Sequence, residues 1–67
     1  MQFIVNKNIR RILKQKDIQQ KDAATRAGLS EMTFSNIVNC KRKVYADELV
    51  RIATALECSI NDLVKQE

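Results

Sequence analysis

The chain has 67 residues, room for one domain with a small core, and 45% of them are apolar, as expected of a globular protein. Twelve Lys and Arg against eight Asp and Glu give a net charge of +4. The imbalance sits in residues 1–45, where ten bases face three acids, and it reverses in residues 46–67, where two bases face five acids. That asymmetry fits either a polyanion on one face, nucleic acid before membrane, or ordinary solubilising charge. Two cysteines at no metal spacing and no histidine argue against a zinc site. The apolar run MQFIV is too short for a signal peptide or a membrane span, so the chain reads as cytoplasmic, with reduced thiols.

With one glycine, no proline and helix-favouring composition, the expectation is an all-α domain. Ile9, Ile12, Leu13 and Lys16 recur at helical spacing, so a first helix is expected over about 6–16, with Asn6 as N-cap. Lys7, Arg10, Arg11 and Lys14 form its other face. Met1–Val5 either extends this helix or forms a short strand. A second helix, about 20–27, carries the small-residue stripe Ala23, Ala24 and Ala27, which lets two helix axes approach closely. Gly28 stands where a helix end needs positive φ.

A third helix follows the N-cap Ser30 and runs to about Asn39. Phe34, Ile37 and Val38 share its apolar arc, while Met32, Ser35, Asn36 and Asn39 lie opposite. CKRKVY reads as a basic loop. A fourth helix, about 47–56, turns Leu49, Ile52, Ala53 and Leu56 inward, with Asp47 and Glu48 favourably placed at its positive end. Ser59 and Asp62 make a capping box for a short last helix, which Ile60, Leu63 and Val64 should anchor. Helix two, a short turn with glycine and helix three have the spacing of a helix-turn-helix, whose second helix can enter the DNA major groove. A plain helical corner in a small bundle has the same spacing.

The stretch IQQKDAATRAGLSEMTFSNIVNCKR, followed by ELVRIATALECSINDL, resembles the Cro/C1-type (XRE, lambda-repressor-like) helix-turn-helix family. Gln20, Ala24, Gly28, Leu29, Ser30, Phe34, Ile37, Ile52, Ala53, Ala55, Leu56 and Ser59 carry the match. The resemblance implies a compact five-helix domain over residues 1–67, with its core in 6–65, and sequence-specific binding of double-stranded DNA as a transcriptional regulator, a repressor before an activator. It further implies base reading by Glu31, Met32, Thr33, Ser35 and Asn36, and phosphate binding by Gln20, Ser30, Asn39, Lys41, Arg42 and Lys43. Asn36 suits adenine and Met32 a thymine methyl. No cofactor or metal is implied. Pairing of two copies is expected, if only on DNA, through the end of helix four, helix five and MQFIV.

Departures from the family pattern carry expectations of their own. The family's buried Arg and Glu of helices one and three are replaced by Leu13 and Val38, an apolar exchange that the fold can absorb. Cys40 and Glu57 stand where glycine is usual, so each takes positive φ or its helix ends differently. Gln19 and Tyr45 replace Ser or Thr caps, which predicts weaker helix starts. Cys58 falls at a core position. The rival function is a protein-interaction module, an antitoxin or anti-repressor that keeps the fold. No pairing of nucleophile and base supports an enzyme.

Overall fold

The computed structural model describes residues 3–66. Its elements are α1 (Ile4–Lys16), α2 (Gln20–Ala27), α3 (Glu31–Val38), α4 (Ala46–Ala55) and α5 (Ile60–Val64), with no strand among the described residues. The all-α, five-helix expectation holds. One core collects Ile9, Ile12 and Leu13 from α1, Phe34, Ile37 and Val38 from α3, and Ile52, Leu56 and Leu63 from the last two helices and their junction. Ala23, Ala24 and Ala27 are buried, and their small size lets α2 lie close against α4. Leu13 and Val38 are 6% and 3% exposed in this core, so packing replaces the missing ion pair.

Helices α1 to α4 all end the same way. Asp17, Gly28, Cys40 and Glu57 each take positive φ, between 53° and 72°. At each, the chain folds back so that two N–H groups reach carbonyls in the last turn, as Cys40 does to Ile37 and Lys41 to Asn36. Ile18, Leu29 and Cys58, each following such a residue, tuck against the core. Thus Cys40 and Glu57 adopt the left-handed backbone that glycine would take freely, at some conformational cost. Asp17 does so too.

Two expectations need correction, and one open choice is decided. Asn6 is no N-cap: α1 starts at Ile4, and Asn6 is buried inside its first turns, 1% exposed. Its Nδ2 donates to the carbonyls of Ile37 (2.8 Å) and Arg42 (2.9 Å), tying α1 to the end of α3 and the following loop. The segment Met1–Val5 continues the helix as far back as Ile4, while Met1 and Gln2 lie outside the described residues. In α5 only Leu63 is buried, and Ile60 and Val64 are 43% and 40% exposed, because a five-residue helix turns a single narrow face inward.

The Ser59–Asp62 capping box forms as expected. Ser59 accepts from Asp62 N–H, and Asp62 accepts from Ser59 N–H. Gln19 makes no side-chain cap bond. At Tyr45 the N–H donates to Glu48 Oε1 instead, which supports the start of α4 from the other side.

Candidate nucleic-acid interface

Ser30 sets the angle at which α3 leaves the turn. Its Oγ accepts from Thr33 N–H at 3.1 Å and donates to Thr33 Oγ1 at 2.9 Å. Gly28 makes the turn itself, at φ 72°. Phe34, Ile37 and Val38 then hold the back of α3 in the core. What remains outward is a polar front with one long apolar side chain, Met32, 76% exposed. Glu31 is exposed in the first turn, where a carboxylate favours the helix.

The structure brings most of the expected base-reading side chains together. An open groove is lined by Gln20 and Lys21 from the start of α2 and by Glu31, Met32, Ser35 and Asn36 from the front of α3. Thr33 lies apart from the groove lining, and its side chain is engaged by Ser30. Lys21 had no role assigned from sequence. Its place one residue into α2, beside Gln20, is the signal that could have found it.

Asn39 closes the far end of α3. It donates from Nδ2 to Ser35 Oγ (3.3 Å) and accepts at Oδ1 from Arg10 of α1 (3.1 Å). In the loop beyond, Lys41 and Lys43 are exposed but Arg42 is not used in the same way. Its guanidinium pairs with the Glu48 carboxylate through both nitrogens and lies 5.4 Å over the Tyr45 ring. Glu48 is buried, 8% exposed. The hydrogen bond from Arg42 holds the Glu48 carboxyl below the usual carboxylate range against the opposing effect of burial. Arg42 is correspondingly raised. The loop is therefore anchored twice, by this ion pair and by Asn6 on the Arg42 carbonyl.

Two further polar anchors escaped the sequence reading. Asn8 is buried and donates to the carbonyls of Leu63 (2.8 Å) and Lys65 (2.9 Å), holding the end of α5 to α1. Lys16 Nζ reaches the carbonyls of Leu56 (2.8 Å) and Glu57 (2.9 Å), where the end of α4 welcomes a cation. The only sequence signal for Asn6 and Asn8 is asparagine inside a helix, where it needs a tertiary partner to be tolerated. Cys58 is partly buried against the core, and burial pushes its thiol up, away from reactivity. Among the described residues no His, Cys, Asp or Glu cluster has the makings of a metal site, and no helix is long and apolar enough to cross a membrane.

The family model of the Cro/C1-type HTH DNA-binding domain matches residues 8–67. Two solved structures share the fold. One is the restriction-modification controller protein C.AhdI from Aeromonas hydrophila, 21% identical, with a TM-score of 0.84 over 91% of this chain and 94% of that one. The other is the P22 c2 repressor protein in complex with a synthetic operator, 23% identical, with a TM-score of 0.81 over 96% of this chain and 97% of that one. No curated protein sequence matches the chain significantly.

Proposed function

The chain belongs to the Cro/C1-type helix-turn-helix DNA-binding family, and from that premise we propose that it is a sequence-specific transcriptional regulator, a repressor, that lays the front of α3 in the major groove of its operator. The observation that carries this reading is the open groove in which Gln20 and Lys21 of α2 face Glu31, Met32, Ser35 and Asn36 of α3, of which only Glu31 is charged. A rigid, mostly uncharged face with Lys21 on one side and the exposed Lys41 and Lys43 beyond the far end of α3 suits base edges between two phosphate backbones. The P22 c2 repressor, alike in fold, is seen in complex with a synthetic operator, which supports DNA as the partner.

In this reading Asn36 pairs with adenine and Met32 meets a thymine methyl. Ser35 lends a shorter contact, Thr33 serves through its bonds to Ser30 at the helix start, and Glu31 accepts from cytosine while stabilising that start. Gln20 and Ser30 hold phosphate where free N–H groups of α2 and α3 point outward. Asn39 joins Gln20 on the same backbone from the end of α3, and Lys41 and Lys43 grip the opposite strand. Arg42 serves by placing this loop through Glu48 rather than by reaching DNA itself. Two copies pair on adjacent half-sites about 34 Å apart, and the exposed Val50 of α4 with Ile60 and Val64 of α5 offer apolar surface for that contact.

Fluorescence anisotropy across a salt series tests the proposal, with duplexes selected from a random library and scrambled controls. A preference of ~10³-fold or more for the selected sequence, falling steeply with salt, is the expected result. Absence of binding even at low salt overturns it and favours the protein-interaction role. Sedimentation with and without the selected duplex reads the pairing.

A further inference from the structure

We infer that α1 supplies a phosphate-binding site of its own, formed by Arg10 and Lys14 with Gln20 and Asn39; the inference rests on the DNA-binding reading above. These four side chains line one open groove where the last half of α1, the start of α2 and the end of α3 converge. Arg10, Lys14, Gln20 and Asn39 are all exposed. Their chemistry is complementary to a single anion: two cations, an amide that can donate, and the free N–H groups at the first turn of α2.

Arg10 is already oriented. Its Nη2 donates to Asn39 Oδ1 at 3.1 Å, so the guanidinium sits at the end of the recognition helix and not in free solution. A guanidinium offers five N–H donors, so this bond leaves others for a phosphate oxygen. The bond also turns Asn39 so that its amide faces Ser35 (3.3 Å), which links the site to the reading face. Leu13 and Val38, buried at the floor of the groove, offer no charge of their own. Cationic charge in this groove therefore comes from the exposed side of α1. Asp17 lines the groove too and opposes an anion, so it sets a limit on the affinity.

The class of ligand is the phosphodiester of double-stranded DNA, bound without regard to base. Losing one phosphate contact lowers the slope of log affinity against log salt by about 0.9. With affinities equal at 1 M salt, that slope change amounts to about eightfold at 0.1 M.

The test uses the full chain and a selected duplex, in salt titrations of wild type, Arg10→Ala, Lys14→Ala, the double variant, Arg10→Lys, and Lys65→Ala as a cation outside the groove. The double variant should lose about one unit of slope and weaken selected and scrambled duplexes by the same factor. Arg10→Lys should keep most of the slope, and Lys65→Ala all of it. Asp17→Asn should tighten binding roughly two- to threefold at low salt, since it removes a like charge. Single methylphosphonate substitutions in the duplex should reveal one phosphate whose neutralisation weakens wild type but not the double variant. A wild type with a steep slope and a double variant with the same slope overturns the site alone. An equal loss in Arg10→Ala and Arg10→Lys, with unchanged slope, assigns Arg10 a structural role and overturns it as well. Failure of wild type to bind any duplex overturns both this inference and the reading beneath it.

Discussion

Replacing Asn6 should unlock the end of α3. Its Nδ2 donates to the carbonyls of Ile37 and Arg42, at 2.8 and 2.9 Å. The Ile37 carbonyl keeps a second partner in Cys40 N–H, whereas the Arg42 carbonyl relies on Asn6 for its bond from α1. Two such bonds are worth about 1 kcal/mol each, and the space left by Asn6→Ala adds roughly 1 kcal/mol. Against this, the Asn6 Oδ1 is buried and accepts no hydrogen bond among the described residues, so its removal returns about 1 kcal/mol. The net loss is about 2 kcal/mol, or about 8–16 °C in Tm for a domain of this size. Asn6→Asp should be worse than Asn6→Ala, because a carboxylate would then face two carbonyls with no donor between them. Urea unfolding followed by circular dichroism at 222 nm gives both values. A loss below about 0.5 kcal/mol for Asn6→Ala, or an aspartate variant no worse than the alanine, would refute the account of Asn6 as a clamp.

The left-handed helix ends make a second prediction. Cys40→Gly and Glu57→Gly should each stabilise the fold by about 0.5–1 kcal/mol, since glycine relieves the left-handed penalty and gives back part of the gain as entropy of the unfolded chain. Gly28→Ala should cost about 1 kcal/mol through its φ of 72°, since the added Cβ would meet Arg51 Nη1 only at an ordinary 3.5 Å. Thermal melts of the three variants order them. Glu48 has its folded pKa depressed by Arg42, so the stability it contributes is present above its ordinary value of 4.5 and is lost as pH falls through the lower folded value. Glu48→Gln should be less stable at neutral pH and should flatten the acid limb of a stability profile; an unchanged limb counts against the ion pair. On DNA, Asn36→Ala should lose about 1–3 kcal/mol on a selected duplex and nothing on a scrambled one, while Lys41→Ala and Lys43→Ala weaken both and each lower the salt slope by about one unit. Loss on both duplexes for Asn36→Ala removes it from base reading.

Much of this architecture can be read from local spacing. The alanine stripe of α2, the apolar back of α3, the positive φ of Gly28 and the Ser59–Asp62 box each follow from residues a few positions apart, and the structure has them all. What escapes that reading is held by partners far along the chain. Asn6 and Arg42 are 36 residues apart, and Asn8 and Lys65 are 57. No periodicity announces such pairs, and an asparagine near a chain start resembles a cap. Arg42 shows the same limit. Within KRK it is chemically like its neighbours, and only the folding of Glu48 against it separates its role from theirs. The groove was legible in part: the front of α3 follows from its helical phase, while Lys21 enters through the angle between two helices, which the turn sets. Ile60 and Val64 were misplaced because apolar content says that a helix packs, but not how much of it a five-residue turn can hide.

The exposure of Met32 has a consequence for how such a protein changes over time. A side chain that is 76% exposed contributes almost nothing to the core, so its replacement is nearly neutral for folding. The same holds to a lesser degree for Ser35 and Asn36, while the helix that carries them is held by Phe34, Ile37 and Val38 from behind. In the proposed reading, recognition and stability lie on opposite sides of the same eight residues. If these positions read bases as proposed, new preferences can be sampled at 32, 35 and 36 without first gathering stabilising substitutions elsewhere, so a change of target need not disturb the fold.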